Sequence, residues 1–392
     1  MNLILFDKNH SNYLPLSFTR PISFFRIGIL TIKEKWQFYY NSVSVKTEDY
    51  LSKKFKTNLE DDNLWVDSSI LPCKELITEV NNLRLGESLV HEGEVIAFRN
   101  KTFDYVKLNI IESHSLFSSV ESLTDIFNLN ENEIINDFER IKTHKNSKYL
   151  NRFIDLYSSN VKIGDGEIFI EDGAILNNCT LNTSNGPIYI GKDAEIMEGS
   201  LIRGPFAMLN NTVVKMGARI YSGTTLGPFC KVGGEVNNSV FFGYSSKAHD
   251  GYLGNSVIGE WCNLGADTNN SNLKNNYINV KLWNYQSEKF KDTNLQFCGL
   301  IMGDHSKCGI NTMFNTGTVV GIGANIFGCG FPRNFIPSFS WGGSSGFSEY
   351  KFLKFIDSVK RVFTRRNIKI NQVEIDILNH IFEITKRFRN QY

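Results

Sequence analysis

Glycine is almost absent from both ends of the chain. Residues 1–160 contain three glycines and residues 347–392 contain none, whereas the other 28 of the 31 lie between Gly164 and Gly346. Because glycine permits positive φ angles and close backbone approaches, this concentration predicts a dense series of turns in the middle of the chain. We therefore expect three domains, at 1–160, 161–346 and 347–392.

Long apolar runs and a net charge are also lacking. No stretch approaches the ~18–20 apolar residues that a membrane span needs. The 42 Lys and Arg residues offset 41 Asp and Glu residues, which leaves a net charge of +1. This balance gives no overall field that would attract nucleic acid or an anionic membrane, so neither is expected as a partner.

The cysteines show no pattern of a structural site. There are seven of them, an odd number without CxxC spacing, which argues against a disulfide framework and against structural zinc. The N-terminus has a short apolar run without a basic segment or a small-residue cleavage site, which is typical of a first strand rather than a signal peptide. We expect a cytoplasmic, reduced protein.

The first and last regions have regular periodicity. In the first, strand-like runs at 2–6, 64–69 and 94–98 alternate with helical patterns near 27–40, 47–56 and 120–140, which predicts an α/β layer fold. In the last, two amphipathic patterns at 348–363 and 371–388 predict helices. Ten Lys and Arg against five Asp and Glu make this region basic, which would suit a nucleic-acid contact, but a solvated helix face is the favoured interpretation.

A six-residue period runs through the middle region. Aliphatic residues occupy eight consecutive positions: Ile190, Ile196, Ile202, Met208, Val214, Ile220, Leu226 and Val232. Mostly small residues follow four positions after each, the last being Cys230 and Val236. The pattern resembles the hexapeptide repeat of left-handed parallel β-helices, whose stacked triangular coils bury an aliphatic column. Function is expected at the largest interruptions, 238–257 and 269–298.

One interruption carries a polar motif. His249 is followed by Tyr252 and a Leu-Gly pair, then by Asn263 eleven residues after the tyrosine and Asn272 nine residues later. The motif resembles the acetyltransferase half of the bifunctional N-acetylglucosamine-1-phosphate uridyltransferase/glucosamine-1-phosphate acetyltransferase family of UDP-N-acetylglucosamine biosynthesis. The resemblance implies that His249 is the general base and that Tyr252 and Asn263 bind the amino-sugar phosphate. It places Asn272 where the sugar and acetyl-CoA sites meet.

Acetyl transfer to an amine needs a base, because an ammonium group cannot attack a thioester. Histidine, with an ordinary pKa near ~6.5, suits proton removal near neutrality. His249 lies in a polar loop outside the aliphatic period, and a merely structural role is the alternative. His305 is a second histidine that is either a site residue or a turn residue, of which the turn is favoured.

The basic residues that hold the sugar phosphate in the family are missing from their usual places. Gly233 and Asn238 stand at those positions. We expect Lys231, Lys247 or Arg203, which lie nearby in the sequence, to supply the charge instead. The acceptor sugar is therefore less well defined than the reaction type.

The first domain resembles a degenerate, Rossmann-like sugar nucleotidyltransferase. Residues 14–28 resemble the run that follows the phosphate-binding loop of that family, but the glycine-rich loop itself is absent after the first strand. The resemblance implies that Arg20 and Arg26 bind a nucleotide or sugar phosphate. Asp67, at the end of an apolar run, is either a Mg²⁺ ligand or, more often for such a residue, a turn or cap.

Three functions remain open. The first is a bifunctional enzyme that acetylates an amino-sugar phosphate with acetyl-CoA and joins it to a nucleotide from UTP or dTTP. The second keeps the acetyltransferase with a non-catalytic first domain, and the third is a non-enzymatic scaffold that binds sugar nucleotides. The missing glycine-rich loop favours the second over the first, whereas the intact polar motif disfavours the third. Related acyltransferases place acetyl-CoA between neighbouring coils, so we also expect a homotrimer.

Overall fold

The computed structural model describes residues 1–144 and 159–389, and their contacts divide the chain into two compact units. The first unit consists of Met1–Tyr13, Thr19–Phe25 and Leu30–Leu123, and the second of Leu14–Phe18, Arg26–Ile29 and the chain from Thr124 onward. This grouping differs from the domain boundary expected near residue 160. Residues 145–158 lie outside the described part, and the three expected domains stay a prediction.

The first unit is built around one mixed sheet. The strands are β1 (Asn2–Phe6), β2 (Ser42–Lys46), β3 (Asn63–Asp67), β4 (Glu87–His91), β5 (Glu94–Asn100) and β6 (Asn109–Glu112), and the helices are α1 (Ile32–Trp36), α2 (Asp49–Ser52) and α3 (Lys74–Asn82). The strand order is β2-β1-β3-β5-β4-β6, with β1 parallel to β2 and β3, and β5 antiparallel to β3 and β4. The neighbouring strands β1 and β3 are buried along their whole length and consist mainly of apolar residues, as strands covered on both faces do.

Short helical turns replace a glycine-rich loop after β1. Three 3₁₀ segments follow one another at His10–Tyr13, Leu16–Thr19 and Ile22–Phe24. The segment after β1, which contains no glycine before Gly28, thus forms consecutive tight turns instead of a glycine-rich loop.

The second unit contains a parallel β-solenoid with three faces. The first face comprises Ile168–Ile170, Ile188–Ile190, Phe206–Met208, Thr224–Leu226, Val240–Gly243, Val257–Glu260, Leu300–Met302, Thr318–Val320 and Phe335–Ile336. The second comprises Ile175–Leu176, Glu195–Ile196, Val213–Val214, Lys231–Val232, Ser246–Lys247, Asn263–Leu264, Lys307–Cys308, Asn325–Ile326, Ser340–Gly343 and Gly346–Glu349. The third comprises Val161–Ile163, Thr180–Asn182, Leu201–Arg203, Arg219–Ile220, Glu235–Asn237 and Tyr252–Gly254, after which Asn269–Asn270 pairs with Met313–Phe314. The predicted fold class, an α/β unit with a hexapeptide-repeat β-helix and C-terminal helices, is confirmed.

The aliphatic period forms the interior of the solenoid. All eight residues of the predicted series are buried and belong to one apolar core, so Ile196, Met208 and Ile220 share an interior as expected. Val236, which follows Val232 by four residues, lies in the same core and pairs with Ile220 on the third face. The corner between Val232 and Val236 is therefore two residues shorter than the corners before it.

A helix covers the first face of the solenoid. In α5 (Asn130–His144), which follows α4 (Asp125–Asn128), Phe138 contacts Phe169 edge-on with ring centroids 6.2 Å apart. The Asn130 side chain accepts from the Gly28 N–H at 2.7 Å and donates to the Gly223 carbonyl at 2.7 Å. These bonds explain why residues 26–29 group with the solenoid rather than with the first unit.

A column of turn residues follows the corner between the first and second faces. Each has a φ of 54–65°, and the column contains Asp193, Asn211, Phe229, Tyr244, Trp261, His305, Gly323 and Phe339. Neighbouring rings stack, with centroids 4.9 Å apart for Phe229 and Tyr244 and 4.2 Å apart for Tyr244 and Trp261. We call this set the aromatic column.

The C-terminal helices lie partly on the aromatic column. Phe363 of α6 (Phe352–Thr364) stacks on Trp261 at 4.2 Å, and a Cβ at Gly323 would lie 2.6 Å from the Phe355 ring. The missing side chain at Gly323 thus leaves room for Phe355. The two further helices are α7 (Gln372–Ile384) and α8 (Lys386–Arg389). Among the described residues, no helix is both long and apolar enough to cross a bilayer.

Candidate functional site

His249 lies at a corner between the second and third faces. The corner joins the strand Ser246–Lys247 to the strand Tyr252–Gly254, and His249 and Asp250 are both exposed there. The imidazole is thus outside the apolar core, as the break in the period predicted. A histidine in this place can meet a substrate without unpacking the coil.

The His249 corner lies directly against the equivalent corner of the preceding coil. That preceding corner consists of only Gly233 and Gly234. A Cβ on Gly234 would lie 3.0 Å from the His249 carbonyl oxygen and 2.7 Å from that of Gly251, and the φ of Gly234 is +74°. Only glycine satisfies both conditions, because other residues adopt such φ values at a cost and would clash with the backbone above.

Tyr252 and Asn272 meet, although twenty residues separate them. The Asn272 Nδ2 donates to the Tyr252 hydroxyl at 2.9 Å and to the Asn255 Oδ1 at 2.8 Å. Gly254 leaves space for this pair, because a Cβ there would lie 2.2 Å from the Tyr252 hydroxyl. Burial raises the pKa of the Tyr252 phenol, so it stays a neutral group that can donate its proton in a hydrogen bond.

Lys231 and Asn263 project from the second face. Lys231 pairs in register with Ser246 of the next coil, and Ser246 pairs with Asn263 of the coil after that. Both Lys231 and Asn263 are exposed. The structure therefore places Asn263 and Lys231 on one outward column beside the corner of His249, and Tyr252 on the face that follows the corner.

Lys247 and Arg203 have different surroundings from those of Lys231. Lys247 is 1% exposed, and its Nζ donates to the backbone carbonyls of His249 at 2.8 Å and Gly233 at 3.1 Å. Its amine therefore points toward the backbone, and its expected contact with a substrate phosphate stays a prediction. Arg203 is exposed on the third face, three coils before Tyr252, and lines a cavity of about 340 Å³ with Arg219 and Tyr221.

His305 lies in the aromatic column. Its ring is parallel to that of Trp261 with centroids 6.4 Å apart, and it stacks on Phe363 at 6.1 Å. The residue is buried and has a φ of +63°. These contacts agree with the favoured interpretation of His305 as a turn residue.

The residues singled out in the first domain fall in separate environments. Arg20 is buried in the first unit, whereas Arg26 is buried in the second, where its guanidinium donates to the Ile29 carbonyl. The Asp67 carboxylate accepts from the backbone N–H and the hydroxyl of Ser69 at 2.9 and 2.8 Å, the geometry of a turn. No group of three His, Cys, Asp or Glu side chains suited to a metal ion occurs within residues 1–144 and 159–389. Binding of phosphates at Arg20 and Arg26, and of Mg²⁺ at Asp67, stays a prediction.

Asp7 is the residue that sequence reasoning missed. It follows β1, where a phosphate-binding loop would begin, and its carboxyl accepts from the Ile22 N–H at 3.1 Å and the Thr47 hydroxyl at 2.6 Å. Burial raises its pKa to about 7. An acidic residue directly after a wholly apolar strand was the available signal, and it indicates that this strand end is occupied by the protein's own side chains.

Comparison with known proteins finds similarity to sugar nucleotidyl transferases and to bifunctional enzymes that combine this activity with acetyl transfer. Residues 3–146 match the family model described as "Sugar nucleotidyl transferase". The chain is 29% identical over 196 residues to the Bifunctional protein GlmU of Wigglesworthia glossinidia brevipalpis, covering 49% of this chain and 37% of that protein. It is 33% identical over 144 residues to a bifunctional sugar-1-phosphate nucleotidylyltransferase/acetyltransferase of Sulfurisphaera tokodaii, covering 36% and 35%. Parts of the chain are thus similar to a sugar nucleotidyl transferase family and to bifunctional GlmU proteins.

The similarity is partial in length. A third GlmU, from Methanocaldococcus jannaschii, is 37% identical over 87 residues, which are 22% of this chain and 21% of that protein. The GlmU-like match therefore spans about a fifth to a little over a third of the curated relatives. Among solved structures, the polysialic-acid-specific acetyltransferase NeuO covers 49% of this chain at 12% identity with a TM-score of 0.27.

Proposed function

We propose that the chain is a transferase of sugar-nucleotide biosynthesis that moves an acetyl group from acetyl-CoA to an amino-sugar phosphate at the His249 corner. The observation that carries the proposal is the exposure of His249 between the Tyr252–Asn272 pair and the outward column of Asn263 and Lys231. The GlmU-like similarity supports the same reaction class.

The corner supplies what the reaction needs. The His249 imidazole removes a proton from the substrate ammonium, and the amine nitrogen then attacks the thioester carbonyl. The carbon–nitrogen bond forms as the carbon–sulfur bond breaks, and the departing thiolate takes up a proton. Tyr252 and Asn263 bind the sugar phosphate in this proposal, Lys231 offsets its charge, and Asn272 lies between the sugar and the thioester.

Nucleotidyl transfer in the first domain is the second candidate. The match of residues 3–146 to sugar nucleotidyl transferases supports it, with Arg20 and Arg26 as phosphate ligands. The tight turns after β1, where that family has a glycine-rich loop, favour instead a domain that binds without catalysing. The Asp67 carboxylate already accepts two hydrogen bonds from Ser69.

A paired assay separates these functions. Thiol release from acetyl-CoA with glucosamine 1-phosphate and related amino-sugar phosphates tests the solenoid, and pyrophosphate release from UTP or dTTP with sugar 1-phosphates tests the first domain. Thiol release alone would support an acetyltransferase with a non-catalytic first domain. If neither product is released, only the non-enzymatic scaffold remains, and the proposal is overturned. The homotrimer and the cytoplasmic location stay predictions.

A further inference from the structure

Lys247 occupies a place that the solenoid otherwise gives to apolar residues. It pairs in register with Val232, and Val232 belongs to the aliphatic core. The lysine side chain is 1% exposed, so it enters the coil interior next to the corner that carries His249. Burying an ammonium group is costly unless hydrogen bonds compensate it, so a lysine here needs an explanation.

The amine of Lys247 joins two coils at that corner. Its Nζ donates to the His249 carbonyl at 2.8 Å and to the Gly233 carbonyl, one coil below, at 3.1 Å. Both acceptors are backbone groups, and the Gly233 corner is the one that lacks two residues. The ammonium therefore binds the backbone of the candidate base to the shortened coil beneath it.

The charges around Lys247 fit this arrangement. Burial lowers its pKa to about 8, while the nearby Asp250 and Asp267 carboxylates and the Cys308 thiol favour the charged form, and Arg219 opposes it. At neutral pH the amine is thus still a cationic donor, and hydrogen bonds from charged donors are stronger than neutral ones.

We infer that Lys247 is a positioning residue that fixes the backbone of His249, rather than a ligand of the substrate phosphate. The inference deepens the proposed function and depends on it for its catalytic part. The part that concerns the backbone stands on the two carbonyl contacts alone. Misplacing a reacting group by about 1 Å can cost about 10²-fold in rate, which sets the size of the expected effect.

The test compares Lys247→Met with Lys231→Met. Methionine keeps the length and apolar stem of Lys247 but removes its donors, and Lys231 is an exposed lysine on the adjacent coil. We expect Lys247→Met to lower kcat per folded molecule by about 10²-fold with little change in KM for the amino-sugar phosphate. Lys231→Met should instead raise that KM.

Amide hydrogen exchange gives a readout that does not depend on turnover. Lys247→Met should speed exchange in peptides that cover residues 246–253 and leave the aliphatic coils at 188–226 protected, whereas Lys231→Met should change neither. If Lys247→Met does not fold, Lys247→Gln, which keeps an amide donor group, is measured in its place. The changes in kcat and in amide exchange should then have the same direction and be smaller.

Two results would overturn the inference. A raised KM with unchanged kcat and unchanged exchange would make Lys247 a phosphate ligand. Unchanged exchange with unchanged kcat per folded molecule would make it a packing residue only. Absence of thiol release by the unsubstituted protein would instead contradict the proposed function, and the exchange measurement would still decide the role of Lys247.

Discussion

At the residue scale, the two histidines of the solenoid can be separated by substitution. His249 is exposed and makes no core contact, so His249→Ala should lower kcat for acetyl transfer by ~10²–10⁴-fold, the usual contribution of a general base. The free energy of unfolding should change by no more than roughly 0.5 kcal/mol, as for other exposed sites. Steady-state thiol release and urea unfolding measure the two effects.

His305→Ala is the matched control. Because His305 is buried against Trp261 and Phe363, its loss should destabilise the protein while leaving kcat per folded molecule unchanged. A stable His249→Ala variant with full activity would show that another group is the base.

A second residue-scale prediction concerns Asp7 and pH. Its pKa of about 7 in the folded protein exceeds the ordinary value of 3.8, so the folded state holds a proton that the unfolded state has released. The free energy of unfolding should therefore fall as pH rises from about 4 to about 7. Asp7→Asn removes this dependence. At pH 8 it should be more stable than the unsubstituted protein by a few kcal/mol, because each unit by which the pKa is raised corresponds to ~1.4 kcal/mol.

Urea unfolding at pH 5 and pH 8 measures the effect of Asp7→Asn. Asp61→Asn serves as the control, since Asp61 is an exposed carboxylate paired with Lys101, and such pairs contribute little. Equal stability of Asp7→Asn and the unsubstituted protein at pH 8 would contradict the raised pKa of Asp7.

Individual contacts were only partly predictable at this scale. The family resemblance placed Tyr252 and Asn272 in one site, and these two side chains share a hydrogen bond in the structure. The direction of Lys247 was not predictable. Its position in the period depends on the length of the preceding corner, and the sequence Val232–Val236 fits a normal spacing as well as a shortened one.

At the element scale, the packing of α6 depends on the missing side chain at Gly323 in the aromatic column. Gly323 and Gly217 both have positive φ, +65° and +68°, but a Cβ at Gly323 would meet the Phe355 ring at 2.6 Å whereas one at Gly217 would meet nothing within 4 Å. Gly217→Ala should cost about 1 kcal/mol through its backbone alone. Gly323→Ala should cost about 1–3 kcal/mol more, because the added methyl group overpacks the contact with the Phe355 ring.

Thermal or urea unfolding compares the two glycine variants. Limited proteolysis should also cut the C-terminal helices of Gly323→Ala earlier than those of Gly217→Ala, because α6 loses the place that Phe355 fills. Equal losses in both variants would mean that the helix does not depend on this contact.

The elements themselves were largely predictable. The six-residue period determined the three faces, and helical spacing determined α6 and α7 within a few residues. The aromatic column was not predicted, because its members belong to no regular strand or helix and stand at turn positions where ring stacking is visible only after the coils are superposed. The role of the C-terminal helices therefore became apparent only from the structure.

At the scale of the whole molecule, the third face of the solenoid bears on the predicted homotrimer. Apolar side chains that point outward from it are about half exposed, at 51% for Val161, 51% for Leu201 and 43% for Tyr221. Leu201→Glu should shift a trimer to monomer, because a charge in a buried subunit contact costs several kcal/mol, on the order of magnitude of an unpaired buried ion.

Light scattering at micromolar concentration measures the mass of the Leu201→Glu variant. Val106→Glu, at an 83% exposed residue of the first unit, should leave the mass unchanged. A monomeric unsubstituted protein that retains acetyl transfer would contradict the trimer.

The solenoid also restricts how such a chain can change in length. Ile190, Met208 and Leu226 occupy the first face in three successive coils, eighteen residues apart, so the gain or loss of a whole coil keeps every later side chain on its face. Any other change in length must be confined to a corner, as in the shortened corner before Val236. The segment containing the hairpin Lys281–Asn284 and Lys289–Asp292 leaves and returns at one corner, since the Cys298 N–H donates to the Asn272 carbonyl at 2.9 Å. New segments are therefore inserted at the corners, and Asn272 lies at one of these corners.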